Sequence, residues 1–100
     1  MTIDVKKEDN KLFVELEGRL DTNTSPELER AVGDSLENIE SLVLDFEKLR
    51  YISSSGLRVL LMFQKKMNSQ NASMVIRHVN DLIMEVFDAT GFADILTIEN

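Results

Sequence analysis

Three consecutive hydroxyls and a glycine, Ser53-Ser54-Ser55-Gly56, are the residues whose types and spacing point to chemistry. They stand between the apolar run Leu42-Val43-Leu44, read as a short core strand closed by Asp45, and Leu57, Leu60, Leu61 and Met67, which recur at helical spacing. A serine at that junction lies near a helix N-terminus, where unpaired backbone N–H groups meet the positive end of the helix dipole. Such a place suits a carboxylate or a phosphate, including a phosphate carried by a serine itself. Capping the helix needs only one of the three hydroxyls. A serine hydrolase is disfavoured, because no Gly-x-Ser-x-Gly elbow is present and only His78 could act as base.

His78 ends the apolar run Met74-Val75-Ile76-Arg77 and reads as a surface residue at a strand end, without a catalytic role. With no cysteine, one histidine and no cluster of close carboxylates, no metal-ligand spacing is visible, and neither metal nor cofactor is expected. Nor is there a glycine-rich phosphate loop to suggest a nucleotide binder. A net charge of −7 argues against unaided binding to nucleic acid or an anionic membrane, so the expected partner is a protein. The start, Met1-Thr2-Ile3-Asp4-Val5-Lys6, lacks the basic and apolar regions of a signal peptide, and a soluble cytoplasmic protein is expected.

The elements that must position the serines follow from periodicity. The 100 residues carry no composition break and read as one domain, 1–100. Ile3 and Val5, then Leu12, Val14 and Leu16, alternate with polar neighbours and predict a hairpin turning at Glu8-Asp9-Asn10, its second strand ending at Gly18. Arg19 to Thr24 is a polar connection, and Ser25-Pro26-Glu27 opens a helix, with Ser25 as cap and Leu28, Ala31, Val32, Leu36 and Ile39 as its stripe. Gly33 weakens the middle of that helix by about 1 kcal/mol relative to alanine. After the serine-opened helix come a strand at Ser73–Arg77 and a helix from Asn80-Asp81 to the Gly91 C-cap. Asp94–Ile98 fits either a short edge strand or a terminal helical turn. The order β-β-α-β-α-β-α-β, about five strands with three to four helices, predicts an α/β fold with a mixed sheet and right-handed crossovers.

Ile52-Ser53-Ser54-Ser55-Gly56-Leu57, following Leu42-Val43-Leu44-Asp45-Phe46 and preceding a leucine-rich helix, resembles the signature of the STAS domain, in particular the small anti-sigma factor antagonists. Nearly the whole chain matches that family's order of elements. The resemblance implies a binding switch and not an enzyme. The unphosphorylated antagonist binds an anti-sigma factor that is also a serine kinase of the histidine-kinase-like ATPase type, and so frees a sigma factor. Phosphorylation of the first hydroxyl in an Asp-Ser-Ser-Gly or Asp-Ser-Thr-Gly motif releases the antagonist, and a metal-dependent PP2C-type phosphatase resets it. Matching Gly56 to the motif glycine implies Ser54 as phosphoacceptor, Ser55 as the second hydroxyl, and Ser53 where the acid is usual. A Gly-x-Leu/Ile-Asp pattern matches Gly18-Arg19-Leu20-Asp21, which implies that Asp21, Thr22, Asn23 and Thr24 face the serine turn and form part of the partner surface with Ser53, Ser55 and Gly56.

At about 100° per residue, Leu57, Leu60, Leu61, Phe63 and Met67 share a broad apolar arc of the central helix, with Gln64 inside it, while Arg58, Met62, Lys65 and Lys66 share the opposite one. Arg58 and Met62, next to the serine turn, are expected in the partner surface, a cation and an adaptable thioether set against an acidic groove. A second binding role stays open: a STAS docking subunit of a transporter ATPase complex or a stress-signalling scaffold, using the same surface without releasing a sigma factor.

Overall fold

The computed structural model describes residues 1–99. Strand β1 (Thr2–Glu8) turns through Asp9 and Asn10 into β2 (Lys11–Leu20), and helix α1 (Ser25–Val32) leads to the long strand β3 (Ser41–Ile52). Helix α2 (Ser54–Ser69), strand β4 (Ser73–Arg77), helix α3 (Asp81–Thr90) and the short strand β5 (Ile98–Glu99) complete the expected order. One five-stranded sheet runs β1-β2-β3-β4-β5, with β1 antiparallel to β2 and every later pair parallel.

Right-handed crossovers between successive parallel strands put all three helices on one face of such a sheet. The side chains that alternate toward that face, Leu12, Val14 and Leu16 in β2, Leu42, Leu44 and Phe46 in β3, Met74 and Ile76 in β4, are buried, and Leu28, Leu60, Phe63, Met67, Ile83 and Phe87 of the helices close the core over them. The opposite face carries Asp4, Lys6, Phe13, Glu15, Asp45 and Arg77 and is open. Fully burying one aliphatic side chain contributes about 1.5–3 kcal/mol. That gain lets β2 continue past Gly18 (φ 113) to Leu20 instead of stopping at the glycine.

Strand β3 is far longer than Leu42–Leu44. It carries one extra residue opposite the Glu15/Glu17 step of β2 and another opposite Gly18/Arg19, so the core-facing positions fall at Leu42, Leu44 and Phe46 and then at Leu49 and Ile52. Bulges of this kind break the period-two pattern without ending the strand, and Asp45 does not close it because its carboxylate lies on the open face. Helix α1 is shorter than expected: it stops at Val32, tightens into a 3₁₀ turn at Gly33–Leu36, and reaches Ile39 through Asn38 in the left-handed region (φ 65). Ser25 is not its cap. Thr24 holds that position, and the buried Ser25 hydroxyl donates to the Asp21 carbonyl at 2.6 Å. Helix α3 begins and ends as expected, with Asn80 capping it and Gly91 left-handed at its C-cap. The last segment is mostly neither strand nor helix: a 3₁₀ turn at Phe92–Asp94 ends where the segment begins, residues 95–97 are irregular, and β5 starts only at Ile98.

Candidate functional site

The serine turn hangs from the C-terminal ends of β2 and β3. Leu20 pairs with Ile52, the Ser53 N–H donates to the Leu20 carbonyl at 2.9 Å, and the Arg19 guanidinium lies 4.3 Å from the centroid of the Tyr51 ring. The chain therefore leaves the sheet from a fixed point. Ser53 is extended (φ −100, ψ 176) and its Oγ accepts from the Gly56 N–H at 3.4 Å, so Ser53 is the N-cap and Ser54 and Ser55 are the first two residues of α2. Ser55 is half-buried, with its Oγ 3.4 Å from Thr22 Oγ1. Ser54 is exposed and takes part in neither contact. Three like residues thus have three different environments. Serine at position 53 serves the capping role as well as an acid would, because serine and aspartate cap helices about equally well.

Gly56 is buried beneath the turn and does not form part of the exposed surface it was expected to share. A Cβ there would sit 2.8 Å from Ile52 Cγ1 and 2.8 Å from Leu20 Cγ, two fully packed side chains. Close approach of the first helical turn to the strand ends requires the glycine, and this approach sets the height of Ser54 above the sheet.

Asp21 is turned into its own loop. Its Oδ1 accepts from the Asn23 N–H at 3.0 Å, the Thr24 N–H at 3.1 Å and the Thr24 hydroxyl at 3.2 Å, while the Asp21 N–H donates to Thr24 Oγ1 at 2.8 Å. The Thr24 N–H foremost, with the Asn23 N–H and the Thr24 hydroxyl, outweighs the opposing effect of desolvation and holds the carboxyl below the usual aspartate range. Asp21 and Thr24 are therefore braces, and Thr22 and Asn23 are the loop residues left exposed beside the serine turn.

Ser54, Arg58, Met62 and Lys65 form one exposed stripe along α2, while Lys66 is drawn aside by Glu37 at 2.8 Å. Gln64 is buried, as its place in the apolar arc requires, and its Nε2 donates to Asn68 Oδ1 at 3.0 Å. Beside the stripe, a depression of ≈ 270 Å³ between α1 and α2 is lined by Thr22, Pro26, Glu29, Ser55 and Arg58. A more apolar one of ≈ 200 Å³ follows at Glu29, Gly33, Leu36, Met62 and Phe63. Pro26 and Glu29 were not among the expected surface residues. Only the packing of α1 on α2 brings them there, and no spacing within α1 signals it.

A second group of polar residues lies on the open face. His78 Nδ1 is 2.9 Å from Asp45 Oδ1 and 4.0 Å from Glu47 Oε2. The Asp45 contact raises the imidazole above its ordinary range. Desolvation pushes the Asp45 carboxyl up, but the Glu47 N–H and His78 together outweigh it and hold the group low.

Comparison with known proteins places this architecture. A sequence profile of the STAS domain matches residues 2–100. BtrV of Bordetella bronchiseptica is 31% identical over 101 residues, covering 100% of this chain and 87% of that protein. The anti-sigma-B factor antagonist of Bacillus subtilis is 26% identical over 98 residues, 98% of this chain and 90% of that one. Among solved structures, the anti-sigma factor antagonist SpoIIAA in its unphosphorylated form superposes with a TM-score of 0.79 at 14% identity, over 99% of this chain and 88% of that one. The phosphorylated form of the same Bacillus cell fate determinant gives 0.77 at 14% identity, over 99% and 92%. The fold is common to both.

Proposed function

This chain belongs to the STAS domain family, and from that premise we propose that it is an anti-sigma factor antagonist whose switch is Ser54. Unphosphorylated, it binds a cytoplasmic anti-sigma factor of the histidine-kinase-like serine kinase type and frees the sigma factor. Phosphorylated on Ser54, it lets go until a PP2C-type phosphatase removes the phosphate. The observation that carries this reading is the division of labour in the serine turn: Ser53 caps α2, Ser55 meets Thr22, and Ser54 stands exposed at the first position of the helix.

The partner surface is Thr22 and Asn23 of the loop, Ser54 and Ser55 of the turn, and Arg58 and Met62 on the stripe, with Asp21, Ser53 and Gly56 holding them in place. Phosphorylation adds about −1.5 to −2 charges and three acceptor oxygens to a rigid helix start that can hold them, so the backbone barely moves. An interface formed around a neutral serine must then bury that charge. An uncompensated cost of about 3 kcal/mol weakens binding more than a hundredfold.

The test is intact mass with site mapping of the protein purified from its own cells with phosphatase inhibitors present. One phosphate on Ser54, together with pull-down of a serine kinase by the unphosphorylated form alone, supports the switch. No phosphate under any growth condition sinks it and leaves a constitutive docking subunit.

A further inference from the structure

Asp45, Glu47 and His78 lie outside the serine turn, and they offer one donor atom each within 4.8 Å of one another. We propose that these three side chains bind a divalent transition-metal cation of the zinc type on the open face of the sheet.

Asp45 and Glu47 are two apart in β3, at the step where that strand bulges, and both carboxylates lie within reach of the His78 ring. His78 follows directly on β4, whose Arg77 is in register with Asp45. It adopts the left-handed backbone conformation (φ 59), and its ring lies against β3. Donors each about 2.0–2.2 Å from one cation, at tetrahedral or octahedral angles, are roughly 3.0–3.5 Å apart. The His78–Asp45 separation of 2.9 Å meets that requirement within a small shift, and the 4.0 Å to Glu47 closes by rotation of a carboxylate that is 68% exposed.

The surroundings favour a cation. The Glu47 N–H donates to Asp45 Oδ1 at 3.0 Å and orients that carboxylate, as outer-shell partners of metal ligands do. Two nearby cationic side chains are already engaged, Arg77 by Glu99 at 3.0 Å and Lys48 by Glu15 at 3.2 Å. A depression of ≈ 230 Å³ bordered by Asp45, His78, Phe13 and Val43 leaves room for water in the remaining coordination positions. Imidazole with two carboxylates selects borderline cations such as zinc over magnesium or calcium, which prefer oxygen alone. The bound ion cross-links β3 to the segment after β4 and leaves Ser54 free.

The experiment is calorimetric titration of the full chain, freed of metal by chelation, with zinc chloride at about neutral pH. One saturable site is expected, weakened by about tenfold or more in His78→Ala and in Glu47→Gln, with no saturable heat from magnesium. The thermal midpoint should rise with zinc in the parent chain and stay fixed in His78→Ala. Because His78 is exposed, that variant keeps its fold, which far-UV circular dichroism verifies. No saturable heat up to about 1 mM zinc, undiminished binding in His78→Ala, or equal binding of magnesium would overturn the site.

Discussion

Helices α2 and α3 both start from a strand on the same face of the sheet, and both are capped by a side chain that accepts a backbone N–H. At α3 the cap is short and doubly tied: Asn80 Oδ1 accepts from the Ile83 N–H at 2.8 Å while its Nδ2 donates to the Leu49 carbonyl at 3.0 Å. The next residue is Asp81, an acid that answers the dipole. At α2 the cap is long, 3.4 Å from Ser53 Oγ to the Gly56 N–H, and the first turn contains no acid, only Ser54 and Ser55. One helix start is satisfied by its own residues. The other keeps an unanswered positive end beside an exposed hydroxyl, and this difference, more than the count of serines, underlies the proposal of Ser54 as the switch.

Exchanging the charges at the two first helical positions should separate binding from stability. Ser54→Asp is expected to weaken binding to the proposed anti-sigma kinase by about a hundredfold or more. Its thermal midpoint should hold or rise, since an acid at a helix start contributes about 0.3–1 kcal/mol. Asp81→Ser should do the reverse, losing a little stability and no affinity, as read by titration calorimetry and thermal melts. If Ser54→Asp binds as tightly as the parent chain, the contrast between the two helix starts has no functional meaning.

A smaller effect concerns the packing beneath α2. Gly56→Ala should destabilise by about 1–3 kcal/mol through overpacking against Leu20 and Ile52, measured by urea unfolding. Below that, the caps should rank by their geometry. Asn80→Ala should cost about 1–2 kcal/mol and Ser53→Ala about 0.5–1 kcal/mol, whereas Ser53→Asp should be near neutral. Equal losses at the two caps would erase the distinction drawn from their lengths.

The smallest effect is the pH dependence of the Asp21 loop. Because the folded-state pKa of Asp21 is lowered, its contribution is present above the ordinary aspartate pKa of about 3.9 and is lost as pH falls through the lowered value. Asp21→Asn should flatten stability against pH in that acidic window alone, in urea melts taken between about pH 2 and 5.

Much of this arrangement can be read from residue order, because alternation at Leu12, Val14 and Leu16, the Asn80 and Gly91 boundaries of α3 and the serine turn are local signals. The second half of β3 is not legible, since two bulges re-phase its buried residues from Phe46 to Leu49 to Ile52 and the pattern no longer looks like a strand. The end of α1 is equally hidden: Leu36 and Ile39 keep a helical spacing while the backbone has already tightened at Gly33. Within the site, the run of serines is visible, but their separate environments depend on Leu20 and Thr22 arriving from another strand and loop. Asp45 and His78 are 33 residues apart, and only the β3–β4 register joins them.

The order of strands in the sheet, each beside its predecessor in the chain, also bears on how the molecule is made. A strand that emerges during synthesis always finds its neighbour already present, so contacts can accumulate from the N-terminus without waiting for a distant partner. The framework of the serine turn, Leu20, Thr22, Ile52 and the start of α2, lies in the first part of the polypeptide. Pulsed hydrogen exchange on ribosome-bound chains should therefore find β1 to β3 protected while α3 is still unmade; simultaneous protection of the whole sheet would rule out that sequence of events.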